Sequence, residues 1–148
     1  MSAPAVWMKT LLIVFHSLSG GTRQMAEAVA LGAQSEGGIR VRLLSAADTT
    51  AADVLHADGY VFATPENLGA MAGRMKDFFD RTYYAALDRI NGRPFATLIC
   101  AGSDGNNAAR QLTRIVTGWR LRSIAEPIIV YTHAQTPEAI LATKVIGH

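Results

Sequence analysis

The chain has 148 residues, 49% of them apolar and 18% charged, which matches the roughly 150 residues of a single domain and leaves too little charge for disorder. Its longest strictly apolar run, Leu11 to Phe15, is five residues, against the ~20 needed to cross a bilayer, so no membrane association is expected. The net charge is +2 with one cysteine, and only Arg110, Arg114, Arg120 and Arg122 cluster; this excludes a disulfide framework or Cys-rich zinc site and reads as a solvated helix face, not a nucleic-acid surface.

Thr10 to Phe15 is a continuous β-prone run, as expected of a strand buried on both faces of a parallel sheet. It ends in HSLSGGT. From Thr22 the pattern turns helical, with Met25, Ala26, Val29, Ala30 and Ala33 on one face, and Gly37-Gly38 stops it. Ile39 to Leu44 alternates apolar residues with arginine, as an outer strand with one wetter face does. Thr50 and Asp53 have the spacing of a capping box that opens a short helix through Leu55. A third strand is expected from Tyr60 to Thr64, then a long loop, TPENLGAMAG.

Met71, Met75, Phe78, Phe79 and Thr82 fall at helical spacing, and Asp77 with Arg81 forms an i,i+4 pair on a different face. Asn91 to Pro94 is a turn, Phe95 to Ala101 a fourth buried strand, and GSDGNN the loop that closes it. The next helix buries Ala108, Leu112, Ile115, Val116 and Trp119. Pro127 to Thr132 supplies a fifth strand, and Thr136-Pro137-Glu138 starts a last helix. Strands alternating with helices predict an α/β fold of three layers, with a five-stranded parallel sheet in the order 2-1-3-4-5. Ligands then belong at the carboxyl ends of strands 1, 3 and 4.

Ser17-Leu18-Ser19-Gly20-Gly21-Thr22 puts three hydroxyls and two glycines between a buried strand and a helix N-terminus, where backbone N–H groups and the positive helix end attract an anion. Neither G-x-x-x-x-G-K-[ST] nor G-x-G-x-x-G is present, so a terminal monophosphate suits the loop better than a nucleoside triphosphate or a dinucleotide. The run resembles the T/S-x-T/S-G-x-T phosphate loop of flavodoxin-like proteins. Separately, Thr64 to Thr82 is similar to the segment after strand 3 in flavodoxin-fold NAD(P)H-dependent oxidoreductases, the FMN reductases and the quinone reductases of the tryptophan-repressor-binding type.

The resemblance implies one flavodoxin-like FMN-binding domain over residues 1–148, with residues 1–9 as an extension. It implies that Ser17, Leu18, Ser19, Gly20, Gly21 and Thr22 hold the FMN phosphate. Pro65, Glu66, Asn67, Leu68 and Gly69 would line one edge and face of the isoalloxazine, and Gly102, Ser103, Asp104 and Gly105 would border its pyrimidine side. None of the three loops carries an aromatic residue, so one flavin face should stay open, as hydride transfer from a stacked nicotinamide requires.

The expected activity is transfer of a hydride from NAD(P)H through bound FMN to a quinone or similar small-molecule acceptor, in the cytoplasm. The alternatives are a flavodoxin-type electron carrier, against which the sequence pI of about 8.9 weighs, and a flavin-free scaffold that kept the fold. Arg110, Arg114 and Arg120 are candidates to meet a 2′-phosphate, and homo-oligomerisation stays open. His16 and His133 read as solvated loop residues and Cys100 as a core thiol. A phosphoacceptor domain fails because Phe15-His16-Ser17 supplies no acidic pair. A phosphotyrosine phosphatase fails because Asn106 stands where its arginine would, six residues after Cys100.

Overall fold

A computed structural model of the chain describes residues 8–131. Strand β1 (Lys9–Phe15) leads to helix α1 (Gly21–Ser35), strand β2 (Ile39–Ser45), a 3-10 turn (Ala46–Asp48) and helix α2 (Ala51–His56). Strand β3 (Gly59–Asn67) follows, then the two-residue β4 (Ala70–Met71), α3 (Gly73–Ala86), β5 (Pro94–Ala101), α4 (Asn106–Gly118), β6 (Arg122–Ser123) and β7 (Ile128–Tyr131). The sheet runs β2-β1-β3-β5, with β6 and β7 sharing the position beyond β5, and all of these pairings are parallel. This is the expected 2-1-3-4-5 order.

Successive residues of a strand point to opposite faces, and here that alternation builds two cores. Leu12 and Val14 of β1, Tyr60 and Phe62 of β3, and Phe95 and Ile99 of β5 pack with Met75, Phe78 and Phe79 of α3 and Leu112 and Val116 of α4. Ile13 and Phe15, Val61 and Ala63, and Leu98 and Cys100 face the other way, toward Met25, Ala26 and Ala30 of α1. Phe62 is the centre of the larger core, in ring contact with Tyr60, Phe78, Phe79 and Phe95. Truncating it to alanine costs about 3–5 kcal/mol.

Four expectations need correction. The segment TPENLGAMAG is not a loop, because β3 continues through Pro65-Glu66-Asn67 and folds back antiparallel on β4, pairing Glu66 with Met71 and Asn67 with Ala70. Met71 therefore belongs to a strand, and α3 begins only at Gly73. The fifth strand is split. β6 pairs with Pro94 and Phe95, and β7 pairs with Leu98 to Ala101. Arg120 and Arg122 are not on a helix face, since Arg120 lies in a left-handed turn (φ 59) and Arg122 in β6. The helix expected at Thr136-Pro137-Glu138, and His133, lie outside the described residues.

Candidate functional site

The carboxyl ends of β1, β3 and β5 bring together the three segments singled out above. At the first, Gly20 takes a left-handed φ of 102 as the N-cap of α1, and its N–H donates to Ser17 Oγ at 3.0 Å. No side chain caps this helix, and no acidic residue stands in its first turn. The first amide to find a carbonyl is Gln24, which donates to Gly20 O. Among the described residues the N–H groups of Gly21, Thr22 and Arg23 therefore have no protein acceptor, although Gly21 and Thr22 are buried.

Buried amides without partners are costly. Aligned at a positive helix end, such amides can receive an anion. Ser17 and Ser19 flank it half-buried, and Leu18 points out into solvent. The Thr22 side chain is turned into the protein, within hydrogen-bonding reach of the Cys100 thiol. Burial raises the pKa of that thiol against this contact, which keeps Cys100 protonated and inert. This agrees with a core role for Cys100.

At the second segment the β3–β4 hairpin turns through Leu68 and Gly69, with φ of 52 and 76. Both central residues at positive φ define a type I′ turn. Leu68 is fully exposed at the tip. The base of the hairpin is fastened by Thr64, whose buried hydroxyl accepts from Ala72 N at 3.1 Å and donates to Pro65 O at 2.9 Å.

The third segment, Gly102 to Asp104, is exposed and leads to the N-cap of α4, Gly105, again left-handed with φ 88. A Cβ at Gly105 would stand 2.6 Å from Ile129 Cγ2, so only glycine fits. Here the helix end is occupied. Glu66 Oε1 accepts from Gly105 N at 2.8 Å and Oε2 from Ala108 N at 3.1 Å, while Asp104 Oδ1 accepts from Asn106 N at 3.3 Å. The Glu66 carboxylate is thus turned into α4 and is not a free group of the crevice. Two further bonds join hairpin to helix: Asn107 Nδ2 donates to Gly69 O at 2.6 Å, and Met71 N donates to Gln111 Oε1 at 3.0 Å.

Sequence reasoning missed several neighbours. Burial, and then the charge of Arg74 at the start of α3, hold the His16 pKa below 6.5, so His16 is neutral at pH 7. Arg23 lies over the Phe15 ring, 5.6 Å from its centroid. His16, Ser17, Arg23, Ser45 and Asp48 line a second crevice of about 450 Å³ on the β2 side of the first loop. No local motif marks Ser45, Asp48 or Arg74 as neighbours of this loop, because each reaches it through strand order. Of the three arginines considered for a 2′-phosphate, Arg110 and Arg114 lie exposed on α4. Arg120 stands at the opposite end of the sheet, where its carbonyl accepts from Gly92 N just before β5. Among the described residues no group of three His, Cys, Asp or Glu could hold a metal ion, and no helix is long and apolar enough to cross a membrane.

The parallel 2-1-3-4-5 sheet, with its uncapped helix start at the carboxyl end of β1, defines a flavodoxin-like α/β protein. A flavodoxin from Streptococcus superposes over 93% of this chain and 95% of its own with a TM-score of 0.74 at 23% identity. A flavodoxin, WrbA-like protein from Agrobacterium tumefaciens covers 94% of this chain and 96% of its own with a TM-score of 0.66 at 19% identity. The family model for NADPH-dependent FMN reductase matches residues 45–136, and the chain belongs to that family.

Among curated relatives, a flavodoxin of Aquifex aeolicus is 36% identical over 66% of this chain and 53% of its own. An NAD(P)H dehydrogenase (quinone) of Acidithiobacillus ferrooxidans is 37% identical over 51% of this chain and 48% of its own. The chain spans about half the length of these curated relatives.

Proposed function

We propose that the protein is an FMN-dependent oxidoreductase that accepts a hydride from NAD(P)H and delivers it to a quinone or similar small molecule. The observation that carries this reading is the uncapped, acid-free N-terminus of α1, whose free amides and adjacent serines fit the dianionic phosphate of FMN. When bound, FMN supplies the two-electron acceptor and donor.

In this reading the chain binds and orients. The Gly21 and Thr22 amides, with the hydroxyls of Ser17 and Ser19, hold the phosphate, and Thr22 also ties the helix start to the core. Leu18 and Gly20 shape the loop. Pro65 and Asn67 to Gly69 line one edge of the ring system, with Glu66 acting beneath them as the link to α4. Gly102 to Gly105 border the other side. No aromatic side chain stands in these loops, and Leu68 projects into solvent, which supports an uncovered ring face where a nicotinamide approaches to about 3–3.5 Å. A small-molecule acceptor uses the same face in turn. A cytoplasmic location belongs to the same reading.

The flavodoxin of Aquifex aeolicus favours a second reading, a one-electron carrier between proteins. Anaerobic mixing of the FMN-loaded protein with NADPH or NADH separates the two. Bleaching of the flavin absorbance within turnover time supports the reductase, and a protein that stays yellow until a separate reductase is added overturns it.

A further inference from the structure

The two edges of the sheet are finished differently. At one edge the position beyond β5 is shared by β6 and β7, pieces of two and four residues with Pro127 between them. Short strands and a proline are devices that keep a sheet from growing. At the other edge β2 runs seven residues in unbroken parallel register with β1 and, among the described residues, pairs with no other strand. It holds no proline and no bulge. Arg42 is drawn back onto Asp53 of α2 at 2.7 Å, so Arg40 alone stands exposed on the strand. The outer N–H and C=O groups of β2 are an open template for another strand.

The surface beside that edge is apolar. Val41 and Leu43 of β2, with Ala28, Leu31 and Gln34 of α1, line a groove of about 440 Å³, and Leu31 is 68% exposed. Charge says what fits there. β2 has an exposed cation at its start, Arg40, and an exposed carboxylate just past its end, Asp48 of the 3-10 turn. Neither has an ion-pair partner among the described residues. A strand with opposite charges at its two ends is complementary to an antiparallel copy of itself, because each Arg40 then approaches the partner's Asp48. A parallel copy sets like charges together.

We propose that β2 is the interface of a two-fold dimer of this chain, in which the β2 strands of two copies pair antiparallel and join the two sheets into one. Pairing of β2 with β2 closes on itself, whereas pairing with the far edge of the sheet would run on as a filament; the broken β6–β7 edge is built against that. The register sets Leu43 opposite the partner's Leu43 and Arg42 opposite the partner's Leu44. It avoids facing arginines and leaves Arg40 within a long side chain's reach of the partner's Asp48. The α1 helices of both copies lie on one side of the joined sheet, where the grooves and the Leu31 side chains are covered.

The proposal does not depend on FMN. Sedimentation equilibrium of the full chain, with and without added FMN, measures the assembly, and the wild type should dimerise with a Kd of about 10 μM or tighter. Arg40→Asp and Asp48→Arg should each weaken the dimer about tenfold. The double variant should restore it, since the reversed charges again meet opposites. Leu31→Glu should weaken it about 100-fold by placing a carboxylate in the apolar contact. All three residues are exposed, so these variants should fold, as urea unfolding checks.

The register has its own test. Residues directly opposed in antiparallel strands have Cα atoms about 4.5–5.5 Å apart, within disulfide reach, so Leu43→Cys should cross-link to itself under mild oxidation. The native Cys100 is buried and does not compete. A chain that stays monomeric at about 100 μM leaves the edge to a foreign strand and overturns the proposal. So does a dimer that the single reversals leave unchanged, that the double reversal fails to restore, or that Leu43→Cys does not cross-link.

Discussion

Helices α1 and α4 begin alike and end up as opposites. Each starts at the carboxyl end of a buried strand, and each has a left-handed glycine as N-cap with no capping side chain of its own. At α4 the positive end is filled from within the chain, by both oxygens of Glu66 and by Asp104. At α1 no acid stands in the first turn, and among the described residues the amides of buried Gly21 and Thr22 have no acceptor. A helix end that the fold satisfies for itself is structural, and one left open is a place for a ligand. The pair thus supports the proposed place for an external anion at α1 and argues against one at α4.

The largest effect should come from making α1 resemble α4. Ser19→Asp places a carboxylate beside the open amides, so the apo protein should unfold at slightly higher urea. FMN affinity should fall about 100-fold, which is ~2.7 kcal/mol. Isothermal titration checks the affinity, and binding as tight as wild type would remove the phosphate from this loop. The reverse change opens α4. Glu66→Gln leaves one oxygen to serve two amides, and should cost about 2 kcal/mol of stability in urea unfolding. If the comparison holds, inorganic phosphate should then stabilise Glu66→Gln more than wild type, through the amide released at the start of α4.

A milder change tests the hydroxyl contribution alone. Ser17→Ala removes the acceptor for Gly20 N and one donor to the phosphate, and FMN binding should weaken about tenfold, or ~1.4 kcal/mol. The expected change in unfolding free energy is smaller, because Gly20 lies at a solvent-facing loop where water replaces the lost acceptor.

How far the sequence could be read divides along the same line. The buried strands and the α1 start were legible because β-prone apolar runs and a Ser/Gly loop are local signals. The hairpin was not, since Pro65, Glu66 and Asn67 are poor strand formers and Leu68 is an unusual residue for a left-handed turn. Glu66 was legible as a site residue in position but not in role, because its partners Gly105 and Ala108 lie 39 and 42 residues away. Arg74 could be placed beside His16 only once β1 and β3 were known to be neighbours. Residues whose role depends on strand order carry no signature in their own segment.

A third helix start sharpens the contrast by satisfying itself locally, in line with the expected capping box. At α2, Thr50 Oγ1 accepts from Asp53 N at 3.3 Å and Asp53 Oδ2 accepts from Thr50 N at 2.8 Å, while Arg42 Nη1 donates to Asp53 Oδ1 at 2.7 Å. Burial works to raise the Asp53 pKa, but the Thr50 amide and then Arg42 outweigh it and hold the carboxyl below its ordinary 3.8. The native state therefore holds this proton more weakly than the unfolded chain does. The resulting stability is fully present above the unfolded value and is lost as pH falls through the lowered native one. Asp53→Asn keeps the shape and removes the charge, so it should cost about 1 kcal/mol at pH 7. Urea unfolding from pH 7 down to pH 2 should show that deficit constant above about pH 5, shrinking below it, and close to zero once the native carboxyl is protonated. FMN affinity at pH 7 should not move, because α2 packs on the sheet face opposite α1 and takes no part in the open helix end.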